Sequence, residues 1–241
     1  MGSAAPPQAA ESTPAFTKSI AREYLEAIVV AVILALFVRT FAVQAFKIPT
    51  TSMEPNLLVG DHLFVNRLVY SPSSSALEGL LLGKREVGRG DVVVFRFPGN
   101  PEKDYVKRVV GLPGETVEVR DKTVLIDGQP LDESRYAHFL DADSEAGELA
   151  KGLGRDRVPY GPSRVPEGRL FVMGDNRDNS SDSRSWGMLP RELVKGRALF
   201  VYWSYAATRE EYRPSGTVAW IRDTATALGR TRWDRFFHVI R

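Results

Sequence analysis

The sequence predicts a mostly β domain that follows a single apolar helix. After residue 60, short runs rich in β-branched and aromatic residues alternate with Gly, Pro and Asp, a pattern typical of an all-β domain. Near the N-terminus, one longer apolar run has no such interruption. Asp127-Gly128 is a strong signal for a two-residue hairpin turn, and Asp121-Lys122 is a weaker one. The predicted strands are residues 63–65, 91–97, 105–110, 116–120, 124–126, 170–173 and 198–203.

The composition of the 241-residue chain argues against several classes of function. A formal net charge of +2 gives no polyelectrolyte signal, so we expect no nucleic-acid partner. With no cysteine, the chain has no disulfide, no thiolate nucleophile and no cysteine-ligated metal. His62, His138 and His238 are scattered without the spacing of metal ligands. We therefore expect neither a metal site nor a cofactor.

The first 45 residues predict a tail and a membrane anchor. Residues 1–19 are rich in Ala, Pro, Ser and Thr without apolar periodicity, so a disordered tail is predicted over residues 1–22. Residues 27–38 are wholly apolar, but such a helix spans only about 18 Å against roughly 30 Å of hydrocarbon. Including the flanking residues, with Arg39 close enough to one end to snorkel, predicts a transmembrane helix over residues 23–45.

A secretory signal peptide is the alternative for this segment. Lys18 and Arg22 precede the apolar run, and Val-Gln-Ala at residues 43–45 has small side chains at the first and third positions before a possible cut. Orientation is also open, because Lys18 and Arg22 on one side are balanced by Arg39 and Lys47 on the other.

Ser52 is a candidate nucleophile next to this apolar segment. It lies within residues 49–55, Pro-Thr-Thr-Ser-Met-Glu-Pro. Each proline restricts its own backbone and the residue before it, so we expect a stiff, extended stretch around Ser52. The alternative is a Ser/Thr/Pro-rich linker. Neither a Gly-x-Ser-x-Gly elbow nor a Ser-x-x-Lys motif includes Ser52, which disfavours a Ser-His-Asp triad and leaves a lysine from elsewhere as the base.

Lys107 is the lysine whose context best suits that role. On the predicted strand 105–110, it shares a face with Tyr105 and Val109. Loss of hydration would lower its pKa from about 10.4, and reaching about 8 requires roughly 3 kcal/mol of differential stabilisation. A neutral amine can then act as a general base. The alternative is that Lys107 and Arg108 are exposed charges on a strand.

A polar loop follows the predicted strand 170–173. Residues 174–187 read Gly-Asp-Asn-Arg-Asp-Asn-Ser-Ser-Asp-Ser-Arg-Ser-Trp-Gly. This density of short polar side chains predicts a loop held by its own hydrogen bonds, with Arg177 and Arg184 able to pair with its aspartates. A calcium loop does not fit, since Ser183 stands where glycine is required. Polar loops at strand ends commonly carry site residues.

Four segments, in order, resemble the conserved boxes of bacterial type I signal peptidases, the leader peptidases of peptidase family S26. They are residues 48–57, 60–70, 104–115 and 174–187, and the match spans about 140 residues. Asn56 stands where the family commonly has threonine, and Glu115 where it commonly has aspartate.

The resemblance implies a signal peptidase/LexA-like β-fold. Its catalytic core would comprise residues 46–119 and 166–241, with a smaller inserted cap region over residues 120–165. Ser52 would attack the scissile carbonyl, and Lys107 would be the general base.

The same resemblance assigns the supporting residues. The Thr50 hydroxyl and the backbone N–H of Ser52 would form the oxyanion hole. Ser180 would hydrogen-bond and orient the lysine, with Asp182 behind it and Arg184 as the partner of Asp182. Shallow pockets for small residues at the first and third positions before the cut would be lined by Ile48, Pro49, Met53, Leu57, Tyr105 and Val106. Met53 and Leu57 could equally be core residues.

The implied function is a membrane-anchored serine endopeptidase that cleaves signal peptides after Ala-x-Ala sites. Its partners would be signal peptides and the lipid bilayer, and it would act as a monomer. It would cross the bacterial inner membrane once, with the tail in the cytoplasm and the catalytic domain on the periplasmic side. The alternatives are a specialised Ser/Lys-clan peptidase with a dedicated substrate and an inactive, membrane-tethered module that binds signal peptides.

The segment from residue 208 onward carries Trp220, Trp233, Phe236 and Phe237 among arginines. We expect it to pack as a β edge, with a membrane-contacting surface as the alternative.

Overall fold

The computed structural model describes residues 19–37, 43–70, 85–140, 159–206 and 229–240, together with Ser144 and Glu148. The chain divides into two compact units, Met1–Arg39 and Thr40–Arg241. Most of the predicted tail, residues 1–18, lies outside the described residues.

Helix α1, Ile20–Phe37, is the described part of the first unit. Arg22 pairs with Glu26 one turn later, at 2.9 Å between Arg22 Nε and Glu26 Oε1, and apolar side chains such as Ile28 and Leu36 are exposed. Within the part of the chain that the structure describes, no helix is long and apolar enough to cross a membrane.

The second unit contains twelve strands among its described residues. They are β1 Val43–Lys47, β2 Asp61–Asn66, β3 Val92–Phe97, β4 Asn100–Gly111, β5 Thr116–Arg120, β6 Thr123–Ile126, β7 Gln129–Pro130, β8 Tyr160–Arg164, β9 Arg169–Met173, β10 Leu189–Pro190, β11 Val194–Ser204 and β12 His238–Val239. A one-turn helix α2, Ser183–Trp186, follows β9. Each of the seven predicted runs corresponds to one of these strands, which confirms the mostly β prediction.

The observed helix differs at both ends from the segment predicted as a membrane anchor, residues 23–45. The helix begins at Ile20, inside the predicted tail, and residues 43–45 belong to β1 instead of a helix. The physical reason is the side-chain alternation in β1, where Gln44 and Phe46 are partly buried while Ala45 and Lys47 are exposed. Antiparallel pairing with β2 satisfies the backbone of this segment.

The larger sheet has eight strands in the order β1-β2-β11-β3-β4-β9-β10, with β12 also pairing with β11. Its strands pair antiparallel throughout. β4 lies between β3 and β9, deep inside the sheet, and this central position buries both faces of its C-terminal half. The segment after β1 adds Ile48, Met53 and Leu57 to a core cluster with Leu63 and Val65 of β2.

A smaller sheet has the order β7-β6-β5-β8. Its strands run from Thr116 to Arg164, so β5, placed in the catalytic core by the sequence analysis, lies in this second sheet. Both predicted hairpin turns are present. Asp121 and Lys122 have φ of 47° and 64°, and Asp127 and Gly128 have φ of 50° and 79°, the left-handed conformations that such turns need.

The C-terminal residues 229–240 pack against the larger sheet. β12 pairs with β11, and Ile240 joins the core cluster of Ile48 and Met53. Arg235 makes two hydrogen bonds to the fully buried Asp61 carboxylate and one, at 2.9 Å, to the Asn56 carbonyl oxygen. The predicted packing as a β edge is therefore observed for β12 and Ile240, whereas Trp233 and Phe237 are largely exposed, with exposed fractions of 66% and 71%. Trp220 lies outside the described residues.

Candidate active site

Ser52 and Lys107 meet in the structure although 55 positions separate them in the chain. Lys107 Nζ lies 2.6 Å from Ser52 Oγ and donates a second hydrogen bond, at 3.0 Å, to the Val106 carbonyl oxygen. The two side chains are buried, with exposed fractions of 3% for Lys107 and 8% for Ser52. The alternative of an exposed strand charge is therefore wrong for Lys107.

Burial lowers the pKa of Lys107 to about 8. Loss of hydration is the largest cause, because it disfavours the charged ammonium. Asp182 and Asp175 act in the opposite direction, and Arg184 lowers the pKa further. A substantial fraction of the amine is consequently neutral near physiological pH, the form that accepts a proton from a serine hydroxyl.

The backbone around Ser52 turns, contrary to the predicted extended stretch. Glu54 N–H donates to the Thr51 carbonyl oxygen at 3.1 Å, and Leu57 N–H donates to the Met53 carbonyl oxygen at 2.9 Å. Pro49 and Pro55 restrict only themselves and the residues before them, so neither dictates the conformation of Ser52. The local hydrogen bonds and contacts from residues 174–179 determine it instead.

A groove of about 800 Å³ opens at Ser52 and Lys107. Thr50 is exposed on its wall. Most of the predicted pocket residues also line it: Ile48, Pro49, Met53, Tyr105 and Val106. Leu57 is not among the lining residues; it is fully buried in the core cluster, as the alternative for that residue held.

Asp182 organises the loop behind the groove. It is fully buried, caps α2, and accepts a hydrogen bond from Gly174 N–H at 3.1 Å. The predicted ion pair with Arg184 is confirmed, with 2.8 Å from both Arg184 Nε and Nη2 to the two carboxylate oxygens. Arg184 Nη2 also donates to the Arg177 carbonyl oxygen at 2.7 Å, which ties the two ends of the loop together.

The predicted hydrogen bond between Ser180 and Lys107 is not formed in this structure. Ser180 lines the groove, but its Oγ is buried and has no hydrogen-bond partner among the described residues. The hydroxyl packs against Gly174, where a Cβ would lie 2.3 Å from Ser180 Oγ and 2.4 Å from the Ser52 carbonyl oxygen. Lys107 directs its hydrogen bonds to Ser52 and Val106 instead.

A buried ion pair that was not predicted from the sequence lies beneath the site. Arg108 has an exposed fraction of 1% and binds Asp175 through two hydrogen bonds of 2.8 and 2.7 Å. Asn56 Nδ2 donates to the same carboxylate at 2.8 Å. Arg108 has apolar neighbours two positions away on each side, the same signal that singled out Lys107, and it could have been found in the same way.

The ion-pair partner of Arg177 also differs from the predicted one. Arg177 forms a two-pronged ion pair with Glu133, one bond being 2.6 Å from Arg177 Nη1 to Glu133 Oε2, instead of pairing with an aspartate of its own loop. Asp178 pairs with Lys122 of the β5–β6 turn. Charge alone predicted that these arginines pair, but the partner depends on which segment the fold brings close.

His62 lies apart from the groove lining. Its ring packs against Tyr202, Trp203 and Tyr205, and burial together with the nearby Lys47 lowers its pKa to about 4. Among the residues that the structure describes, no group of His, Asp or Glu is arranged to hold a metal ion.

Comparison with known proteins identifies the family. The family model "Signal peptidase, peptidase S26" matches residues 21–203. The chain is 35% identical to signal peptidase I of Pseudomonas fluorescens, over 80% of this chain and 76% of that protein. It is 33% identical to signal peptidase I of Aquifex aeolicus, over 80% and 90%, and 37% identical to signal peptidase I of Bacillus licheniformis, over 78% and 91%.

A crystal structure of a signal peptidase I from Enterococcus faecalis is also similar, with 34% identity, 47% of this chain and 97% of that chain covered, and a TM-score of 0.34. Given the extent of the family match, this chain belongs to the signal peptidase family, peptidase family S26.

Proposed function

We propose that this protein is a serine endopeptidase that removes N-terminal signal peptides from exported preproteins, with Ser52 as nucleophile and Lys107 as general base. The observation that carries the proposal is the 2.6 Å contact between Ser52 Oγ and a buried, largely desolvated lysine at a substrate-sized groove. Family membership supports the same activity.

In the proposed reaction, neutral Lys107 accepts the Ser52 hydroxyl proton as Oγ attacks the scissile carbonyl carbon. The Thr50 hydroxyl and the Ser52 backbone N–H donate hydrogen bonds to the oxygen that becomes negative. Protonated Lys107 then gives its proton to the leaving amine, and the signal peptide remains as an ester on Ser52. A water molecule that loses a proton to Lys107 hydrolyses this ester and regenerates both side chains.

Residues of the loop behind the groove hold Ser52 and Lys107 in this arrangement. Asp182 binds Gly174 N–H and Arg184, and so fixes the loop that packs against Ser52 and Lys107. Ser180 adds a hydroxyl at the groove wall.

Location and assembly are part of the proposal. The wholly apolar run of residues 27–38 is the sequence feature behind the proposal of a single-pass anchor in the bacterial inner membrane, with the catalytic unit on the periplasmic side, where signal peptides emerge. A monomer contains both dyad residues, and the chemistry requires no cofactor. A dedicated-substrate peptidase and an inactive binding module are the competing functions, and cleavage specificity distinguishes all three.

The test of this function uses two preproteins that differ at one residue. One has an Ala-x-Ala site, and the other has leucine at the first position before the cut. We expect the full-length protein, in detergent or lipid vesicles, to cleave only the first and to cut after its second alanine, as N-terminal sequencing of the mature product would show. Binding without cleavage would favour the inactive module, and cleavage of neither protein by a folded enzyme would reject the general signal-peptidase role.

The pH dependence of this cleavage tests the base. Because only neutral Lys107 accepts a proton, kcat/KM should rise about tenfold per pH unit below the Lys107 pKa of about 8 and level off above it. Initial rates from pH 5.5 to 10 would check this prediction. A limb centred near pH 6.5 would instead indicate a histidine with an ordinary pKa.

A further inference from the structure

Hydrogen bonds from the loop of residues 174–187 hold the peptide group between Thr51 and Ser52 in place. Asn176 Nδ2 donates to the Thr51 carbonyl oxygen at 3.2 Å, and Asn176 N–H donates to the Ser52 carbonyl oxygen at 3.1 Å. Asn179 Nδ2 donates to the Thr51 hydroxyl oxygen at 2.8 Å. Three hydrogen bonds thus converge on Thr51 and Ser52, from residues that take no part in the reaction proposed above.

The direction of the Ser52 N–H depends on this arrangement. A peptide group is planar, so the Thr51 carbonyl and the Ser52 N–H point to opposite sides of one rigid unit. The bond from Asn176 to the Thr51 carbonyl therefore also sets where the Ser52 N–H, the proposed oxyanion donor, points. Asn176 is buried, which limits the competition of water for this bond.

The Thr51 side chain provides a further anchor. A threonine has a restricted χ1, so a hydrogen bond to its hydroxyl constrains the backbone to which it is attached. Asn179 ends the 3-10 helix Arg177–Asn179, and the buried Arg177–Glu133 ion pair holds that helix. The donor at Asn179 is consequently fixed by its own surroundings.

We propose that Asn176 and Asn179 are positioning residues that clamp Thr51 and so aim the Ser52 hydroxyl and backbone N–H at the scissile carbonyl. The inference rests on the proposed function, because it concerns the geometry of that reaction. A misdirected donor stabilises the transition state less while leaving substrate contacts in place, so the clamp should act on kcat and not on KM.

The test measures kcat and KM on a peptide with an Ala-x-Ala site for Thr51→Val, Thr51→Ser, Asn179→Ala and the Thr51→Val/Asn179→Ala double variant. Thr51→Val and Asn179→Ala should each lower kcat about tenfold, with KM unchanged within about twofold. Thr51→Ser keeps the hydroxyl and should recover most of the wild-type kcat. The double variant should be no slower than the slower single variant, since both changes remove the same bond.

A second measurement separates positioning from substrate binding. The uncut peptide should bind Ser52→Ala and Ser52→Ala/Thr51→Val with the same Kd.

Three results would overturn the clamp: a wild-type kcat in both single variants, an effect confined to KM, or a Thr51→Ser variant as slow as Thr51→Val. If Thr51→Val does not fold, Asn179→Ala carries the same test. A wild-type enzyme that leaves the peptide uncut rejects the proposed function and the clamp together, whereas an active wild type with unaffected variants rejects the clamp alone.

Discussion

Ser52→Ala should abolish preprotein cleavage, with a fall in kcat/KM on the order of 10⁶, the size of the effect on kcat when the catalytic serine is removed from another serine hydrolase. The Ser52 hydroxyl is the only part of the proposed dyad that forms the covalent intermediate, so no neighbouring group can replace it at comparable speed. The measurement is single-turnover cleavage of an Ala-x-Ala preprotein at pH 9, where the base is neutral.

Ser134→Ala provides the matched control for Ser52→Ala. Ser134 is exposed, and its hydroxyl contacts only the neighbouring Asp132 among the bonds described. This variant should cleave at the wild-type rate. Residual cleavage by Ser52→Ala within tenfold of wild type would show that another group is the nucleophile, and an intact melting transition in that variant would exclude misfolding as the cause of its inactivity.

Lys107→Met should lower kcat/KM by about 10³-fold or more while leaving the protein at least as stable as wild type. Activity falls because Ser52 loses the base 2.6 Å away, and general bases typically contribute 10² to 10⁴ in rate. The substitution has the opposite effect on the stability of the folded protein. Folding lowers the Lys107 pKa from 10.5 to about 8, so the unfolded chain binds more protons between about pH 8 and pH 10.5, and at pH 7 this lysine destabilises the fold by about 3 kcal/mol.

The sign of this stability term follows from the direction of the pKa shift. The destabilisation is complete below pH 8, decreases as pH rises from 8 to 10.5, and is absent above the unfolded pKa. Urea unfolding at pH 7 and pH 10.5 should therefore show that the free energy of unfolding of Lys107→Met, relative to that of wild type, is higher at pH 7 than at pH 10.5. Ser134→Ala, which removes an exposed hydroxyl that contacts Asp132, is again the control and should keep activity. An active Lys107→Met enzyme would contradict the assignment of the base.

The strand pattern and the two dyad residues could be predicted because both depend on local chemistry. Runs of β-branched residues bounded by turn residues identify strands whatever surrounds them. A lysine between Tyr105 and Val109 on one strand face was bound to be buried if that face met the core, and it is. The Asp182–Arg184 pair was predictable as well, because only two positions separate its members.

The errors of prediction arise where distant segments decide the outcome. The turn at Ser52, the Arg177–Glu133 pair and the burial of Leu57 all depend on contacts across many positions of the chain. Residues 43–45 were assigned to a helix because their apolar neighbours are continuous with α1, whereas their partner strand β2 begins at Asp61. No local pattern reveals which segment will supply a missing hydrogen bond.

The sequence by itself determined the class of this protein: its β-strands, its serine and lysine, and the motifs that place it in peptidase family S26. Only the tertiary structure decided whether those residues could act together. It brings Lys107 to 2.6 Å from Ser52, removes the water that would keep the amine charged, and turns the Ser52 backbone against Asn176. Desolvation and long-range hydrogen bonding are properties of packed segments, so they exist only once the chain has folded.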